Sequence, residues 1–133
     1  MNSLIRTALV AAFSLTALST AYAASDASSN AMKRADTQYK AAKERCDALK
    51  GNEHDVCEKD AKAARDKTKA DAKAARKGTP ESRADAGETK AKADYKVQME
   101  RCESLKGKDQ NACESKAKAA LDQRQANADK ARK

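Results

Sequence analysis

Residues 39–64, YKAAKERCDALKGNEHDVCEKDAKAA, recur as residues 95–120, YKVQMERCESLKGKDQNACESKAKAA, at a constant offset of 56 positions. The alignment extends without a gap to residues 77 and 133, and about half of the aligned positions are identical. The identities include tyrosine, cysteine, leucine and glycine, which shared composition alone does not place at fixed offsets. The chain therefore contains two copies of one unit.

A helical period is readable in each copy. Steps of three and four residues alternate along one line in the first copy: Met32, Ala35, Tyr39, Ala42, Cys46 and Leu49. The corresponding line in the second copy is Ala91, Tyr95, Met99, Cys102 and Leu105. This spacing predicts one narrow apolar face on an α-helix, and alanine at most of the remaining apolar positions makes the face thin.

Glycine marks the end of this pattern in both copies. Gly51 and Gly107 are predicted to take the left-handed conformation that closes a helix. Asn52 and Asp109, just beyond them, are predicted to cap a returning helix. Two helices joined by so short a turn lie antiparallel, so each copy is predicted to be a helical hairpin.

The cysteines fit this hairpin. Cys46 lies five residues before Gly51 and Cys57 lies six after it. At about 1.5 Å per residue both are roughly 8 Å from the turn, at the same height on opposite helices. Four cysteines allow three pairings, and this geometry favours Cys46–Cys57 and Cys102–Cys113 over the two crossed alternatives.

The amino terminus has the layout of a secretion signal. Arg6 is its single charged side chain, an apolar stretch runs from residue 8 to residue 18, and Ala21 and Ala23 supply the small residues of a cleavage site. We place the cut between Ala23 and Ala24. The apolar stretch is about half of the roughly 20 residues that span a bilayer, and no later stretch is more hydrophobic. Export to the periplasm, or secretion, also provides the oxidising compartment in which disulfides persist.

The predicted fold is all-α: two tandem antiparallel hairpins, coiled-coil-like and extended, each stapled by one disulfide. Gly78, Thr79 and Pro80 mark the boundary, with Thr79 as N-cap and Pro80 at the first helical position. The predicted segments are a cleaved signal peptide (1–23), a flexible leader (24–30), a first hairpin (31–77), a linker (78–80) and a second hairpin (81–133).

Composition limits the function. The chain has 28 basic and 20 acidic residues, and the predicted signal peptide removes only one of the basic ones. Large apolar side chains are too few for a sizeable core, whereas alanine, lysine, arginine and glutamate are strong helix formers. Acids are interleaved with bases along the whole sequence, which is typical of a solvated helix surface.

No catalytic constellation, haem motif or phosphate-binding glycine loop is present in the sequence, and we expect no enzymatic activity and no cofactor. Zinc ligands usually come in pairs two to four residues apart, whereas ten residues separate the cysteines of each copy, so we expect no metal site. His54, the single histidine, lies near the first turn and has Gln110 at the equivalent position. A capping or solvent-facing role is expected for it.

The segment from Tyr39 through Cys46 and Cys57 to Ala64 resembles small exported proteins of Gram-negative proteobacteria that are described as TolA-like or as cell-envelope-biogenesis proteins. The resemblance covers both copies and is to the Ala/Lys-rich helical region of TolA alone. It implies a helical protein of the cell envelope and identifies no functional residues.

Together these observations predict a non-enzymatic periplasmic helical protein, acting as a structural, spacer or interaction element at the cell envelope. Its partner is expected to be an envelope protein or a second copy of the chain. A cationic binder of envelope polyanions or nucleic acid is the alternative, because the net charge is positive. A thiol-based redox or metal protein is a further alternative from another class.

Overall fold

The computed structural model describes the backbone of residues 17–133 and the side chains from residue 25 onward. Most of the predicted signal peptide, residues 1–16, lies outside the described residues. The described chain forms four helices and no strand: α1 (Ala17–Cys46), α2 (Gly51–Lys77), α3 (Pro80–Cys102) and α4 (Gly107–Ala131). The all-α prediction is confirmed.

The four helices form a single antiparallel row. Helix α1 packs on α2, α2 on α3, and α3 on α4, and no other pair of helices is in contact within residues 17–133. Helices α1 and α2 make the first predicted hairpin, and α3 and α4 make the second. The two hairpins also pack together through α2 and α3, an arrangement that the sequence left open.

Alanine allows the helices of each hairpin to approach closely. Ala35 and its equivalent Ala91 each have only 2% of their surface exposed, and Cys46 and Cys102 are fully buried. Further equivalent pairs are buried in both copies: Ser28 and Ala84, Ala61 and Ala117, and Ala72 and Ala128. Since the same positions are buried at the same offset, the two hairpins use one packing scheme.

The junction between the hairpins follows the predicted capping chemistry. Gly78 ends α2 with φ of 68°, in the left-handed region, and its N–H donates to Ala74 O. The Thr79 hydroxyl accepts from the Ser82 N–H at 3.1 Å, while the Ser82 hydroxyl accepts from the Thr79 N–H. Pro80 opens α3 because its missing N–H costs nothing in the first helical turn.

The turns inside the hairpins differ from the prediction. Gly51 and Gly107 are left-handed, with φ of 57° and 59°, but they open the returning helices, since α1 ends at Cys46 and α3 ends at Cys102. Helices α2 and α4 have no side-chain cap, so the prediction that Asn52 and Asp109 cap them is wrong. Asn52 instead donates to the carbonyl oxygen of Glu100 at 2.8 Å, which satisfies a backbone acceptor in the last turn of α3.

The same early helix ends explain two exposed leucines. Leu49 and Leu105 were predicted to continue the apolar lines, yet they are 38% and 39% exposed. Each lies in the turn after the last helical residue, where the helical period no longer directs it toward the partner helix.

Residues 24–30 are helical, so the prediction of a flexible leader is wrong. Helix α1 begins at Ala17 and includes the predicted cleavage residues Ala21, Ala23 and Ala24. Ser28 is buried, and α2 is the one helix that α1 contacts. Because α2 is 27 residues long, it continues beside α1 well past the first turns after the disulfide and holds this segment in the hairpin.

Candidate functional site

Both hairpins carry the disulfides predicted from the sequence. Cys46–Cys57 and Cys102–Cys113 each join residues 11 apart, with Cα atoms 5.6 Å apart. No cysteine in the described chain is free. The four sulfurs therefore form two disulfides, one in each hairpin. The two turns beside these bonds lie at the same end of the row.

The interface between the hairpins is built from α2 and α3. Its apolar centre is a cluster of Ala63, Ala93 and Val97. Four ion pairs cross the same interface: Lys59–Glu100 (3.1 Å), Arg101–Asp60 (2.8 Å), Lys67–Asp94 (2.7 Å) and Lys90–Asp71 (2.8 Å). Charges on both sides of a thin alanine seam thus fix the register of the two hairpins.

Two adjoining cavities, which share Asp66 and Thr89, form a groove along one side of this interface, and basic side chains line it. Nine basic residues from α2 and α3 form its sides: Lys59, Lys62, Arg65, Lys69, Lys73, Arg76, Lys77, Lys92 and Lys96. Its acidic residues are Asp66 and Asp85. Five alanines supply its apolar floor: Ala63, Ala70, Ala74, Ala86 and Ala93.

Both acidic residues of the groove lining are already paired. Asp66 accepts from Arg65 at 2.7 Å, and Asp85 accepts from Arg132 at 2.8 Å. Three lysines of the lining also have acidic partners: Lys59 with Glu100, Lys69 with Asp36, and Lys92 with Glu88. Hydrogen bonds from the bases that they contact lower the pKa of Asp36 and Glu88, because a bound base favours the ionised carboxylate.

Five basic side chains of the lining have no acidic partner within the described chain: Lys62, Lys73, Arg76, Lys77 and Lys96. All five are exposed. Lys62 and Lys96 line the groove near the disulfide end of α2, and the other three lie near its opposite end. The groove therefore carries excess positive charge over roughly 20 Å of helix length.

The two tyrosines of the repeats, Tyr39 and Tyr95, lie within the hairpins and not in the groove lining. The Arg65 guanidinium lies 4.4 Å from the centroid of the Tyr39 ring, close enough for a cation–π contact. In the second copy Tyr95 shares a cavity wall with Leu121, which replaces the arginine. Among the described side chains, no aromatic residue belongs to the lining of the basic groove.

His54 lies in a small charged cluster beside the first disulfide. Asp47, His54 and Glu58 each bring one potential metal-ligand atom within 4.8 Å of the others. The His54 Nδ1 atom is 3.1 Å from Asp55 Oδ1, and this hydrogen bond, with the nearby carboxylates, raises the pKa of His54 above its usual 6.5. The Lys43 ammonium lies 3.1 Å from Glu58 and supplies a positive charge there.

The second copy lacks this histidine cluster. Gln110, at the position equivalent to His54, donates to Glu114 at 3.1 Å. The His54 Nε2 atom lies 3.9 Å from Glu58 Oε1, too far for a hydrogen bond, so a direct hydrogen bond to this glutamate is made in the second copy alone, by an uncharged side chain.

No protein-family model matches the chain, and neither a curated protein nor a solved structure gives a significant match. The resemblance to the helical region of TolA therefore stays a prediction. None of the described helices is both long enough and apolar enough to cross a membrane. The two disulfides fit a periplasmic or extracellular protein.

Proposed function

We propose that this chain is a non-enzymatic, exported interaction protein of the cell envelope, and that the basic groove between α2 and α3 is its binding surface. Its ligand is a polyanion, in the first place the phosphate groups of an anionic lipid or lipopolysaccharide surface. The observation that carries the proposal is the set of five unpaired cations along one groove whose two lining acids, Asp66 and Asp85, are both paired.

The paired charges around the groove support this function. Lys59 and Lys92 are each paired with a glutamate of α3, so Glu100 and Glu88 are neutralised. The unpaired lysines remain free to exchange bound counterions for phosphate groups, and the release of those counterions favours association. A row of four helices held by two disulfides presents these cations on a fixed scaffold, which reduces the entropic cost of binding.

The chemistry of the lining favours phosphate over nucleobases. Lysine binds phosphate as a point charge from many directions. Proteins that hold single-stranded nucleic acid without sequence preference stack the bases on aromatic side chains. Apart from its two aspartates, Ser82 and Thr89, the described lining consists of lysines, arginines and alanines. It offers no surface for stacking bases, so a phosphate-bearing lipid surface fits better than single-stranded nucleic acid.

Export supports an envelope ligand. The signal-peptide pattern of residues 1–23 and the two disulfides both favour a compartment outside the cytoplasm. The groove is lined by charged side chains and alanines, whereas pockets for small-molecule substrates are lined mainly by hydrophobic and aromatic side chains. Binding without catalysis is therefore the function that these features support best.

The proposal is tested by removing four of the unpaired cations together, with Lys62→Gln, Lys73→Gln, Lys77→Gln and Lys96→Gln. Each lysine close to an anionic surface is worth about 1 kcal/mol. We therefore expect binding to vesicles of phosphatidylglycerol and phosphatidylcholine to weaken at least about a hundredfold. Flotation of labelled protein with the vesicles at low salt measures this change.

A matched control removes four exposed lysines outside the groove, with Lys33→Gln, Lys50→Gln, Lys106→Gln and Lys108→Gln. Both variants lose the same net charge, so an equal loss of binding in the two would contradict the proposal that the groove is the surface. Parallel titrations with lipopolysaccharide and with duplex DNA identify the source of the phosphate. Tight binding to DNA alone, with none to either lipid, would replace the envelope ligand by nucleic acid.

A further inference from the structure

The interface between the two hairpins has a counterpart at each end of the row. Helix α4 corresponds to α2 and helix α1 corresponds to α3, at the offset of 56 residues that relates the two copies. If a second chain continued the row, its α1 would therefore pack on α4 in the way that α3 packs on α2. The residues that would form such a contact are read directly from the repeat.

None of the four ion pairs of the α2–α3 interface has a complementary counterpart at the ends. Arg101–Asp60 becomes Arg45 opposite Lys116, which places two like charges together. Lys67–Asp94 becomes Gln123 opposite Gln38. The remaining two pairs keep one charge each: Lys90–Asp71 becomes Arg34 opposite Asn127, and Lys59–Glu100 becomes Glu44 opposite Ser115.

The apolar contacts are weakened in the same way. Val97, buried against α2, is replaced by Ala41 on α1. Three further buried positions on the α2 side of α3 carry larger polar side chains on α1: Ser82 corresponds to Asp26, Ala86 to Asn30 and Ala93 to Thr37. On α4, Lys130 stands where α2 has the buried Ala74.

We infer that the outer faces of α1 and α4 are capping faces, which limit the row to four helices and prevent chains from stacking end to end. Repeat proteins need a polar outer face on their terminal units, because an uncapped end exposes the surface that the next unit would cover. All the end positions named here are exposed. The replaced residues remove attraction and add one repulsive charge pair, which is how specificity against a competing contact is obtained.

This inference stands apart from the proposed polyanion binding, because it rests on the outer faces and not on the groove. It argues against end-to-end self-association, although a second copy of the chain was one of the expected partners. Stacking of α4 on α1 of another copy is the arrangement that the duplication would favour, and the end residues oppose it. The protein then presents one basic groove per particle instead of a continuous basic filament.

The test is the mass of the particle in solution. The oxidised chain without residues 1–23 is expected to sediment as a monomer at every concentration up to its solubility limit, at low salt and without ligand. A reversible increase in mass, with cross-links between α4 of one chain and α1 of another, would overturn the inference.

A restored variant tests the cause. It carries at the ends the residues found between the hairpins: Asp26→Ser, Asn30→Ala, Thr37→Ala, Gln38→Asp, Ala41→Val, Ser115→Lys, Lys116→Asp, Gln123→Lys, Asn127→Asp and Lys130→Ala. The replaced side chains are exposed, so the hairpins are expected to fold, which a helical circular dichroism spectrum and an unshifted melting temperature would verify.

The restored variant is expected to form oligomers whose mean mass rises with concentration. Adding Arg45→Asp to it places an acid opposite the acid introduced by Lys116→Asp, and this is expected to return the variant to monomer. A restored variant that folds and stays monomeric would show that these residues do not control stacking and would refute the inference. Oligomers that persist after Arg45→Asp would refute the assigned contact between α4 and α1.

Discussion

Replacing Cys46, Cys57, Cys102 and Cys113 by serine is expected to abolish cooperative folding at room temperature. Each disulfide joins residues 11 apart, and a loop of that length restricts the unfolded chain by about 3 kcal/mol. Domains of this size have a free energy of unfolding of only about 5–15 kcal/mol. The apolar seams here are mostly alanine, which buries little area, so the loss of about 6 kcal/mol removes most of the stability.

Each disulfide is also expected to stabilise the chain independently of the other. Cys46→Ser with Cys57→Ser, and Cys102→Ser with Cys113→Ser, should each lower the free energy of unfolding by about 3 kcal/mol, measured by urea denaturation followed at the helical circular dichroism signal. The two pairs serve as controls for each other because their loops are equal in length. A variant without all four cysteines that unfolds at the same urea concentration as the natural chain would contradict this account of stability.

Replacing Ala91 by leucine is expected to destabilise the second hairpin by about 1–3 kcal/mol or more. Ala91 lies between α3 and α4, and only 2% of its surface is exposed. A larger side chain there forces the two helices apart. Leucine and alanine have similar helix propensities, so the cost comes from packing. The free energy of unfolding from urea denaturation measures it.

Ala64→Leu is the matched control, since Ala64 is an exposed residue inside α2. Its effect should stay within about 0.5 kcal/mol. Ala35→Leu, at the position equivalent to Ala91, should cost as much as Ala91→Leu because the same position is buried in both hairpins. Equal effects of Ala64→Leu and Ala91→Leu would mean that the alanine seam does not set the spacing of the helices.

The hairpins and disulfides were predictable because they depend on local spacing. Cys46 and Cys57 flank one turn, and a helical rise of about 1.5 Å per residue places them at the same height. The ends of the helices were less predictable. Leu49 continues the helical period in the sequence, but the chain leaves the helix before reaching it, and periodicity contains no signal for that exit.

The packing of α2 on α3 could not be predicted, because it depends on differences between the two copies. Val97 is the one buried branched side chain of this interface, and its equivalent is Ala41. A comparison of the copies for gained apolar residues would have pointed to α3 as an inner helix. The apolar line along the helix is common to both copies, so it does not distinguish Val97 from Ala41.

The groove was hidden for a related reason. Along the sequence, acids and bases alternate, which indicated a uniformly solvated surface. In the folded chain, Glu100 and Asp94 are drawn into ion pairs between helices, while Lys62 and Lys73 remain unpaired. Charge segregates here through tertiary contacts, and composition does not record which charges have partners.

Residue-resolved nuclear magnetic resonance can locate the phosphate-binding surface of the chain, which we assign to the α2–α3 groove. Uniformly 15N-labelled protein is titrated with dihexanoyl phosphatidylglycerol at low salt, and the shifts of the backbone amides are followed. We expect the largest shifts to fall around Lys62, Lys73, Lys77 and Lys96 and to disappear when salt is raised. Shifts centred on the turns at Leu49 and Leu105, or spread evenly over all four helices, would contradict this assignment.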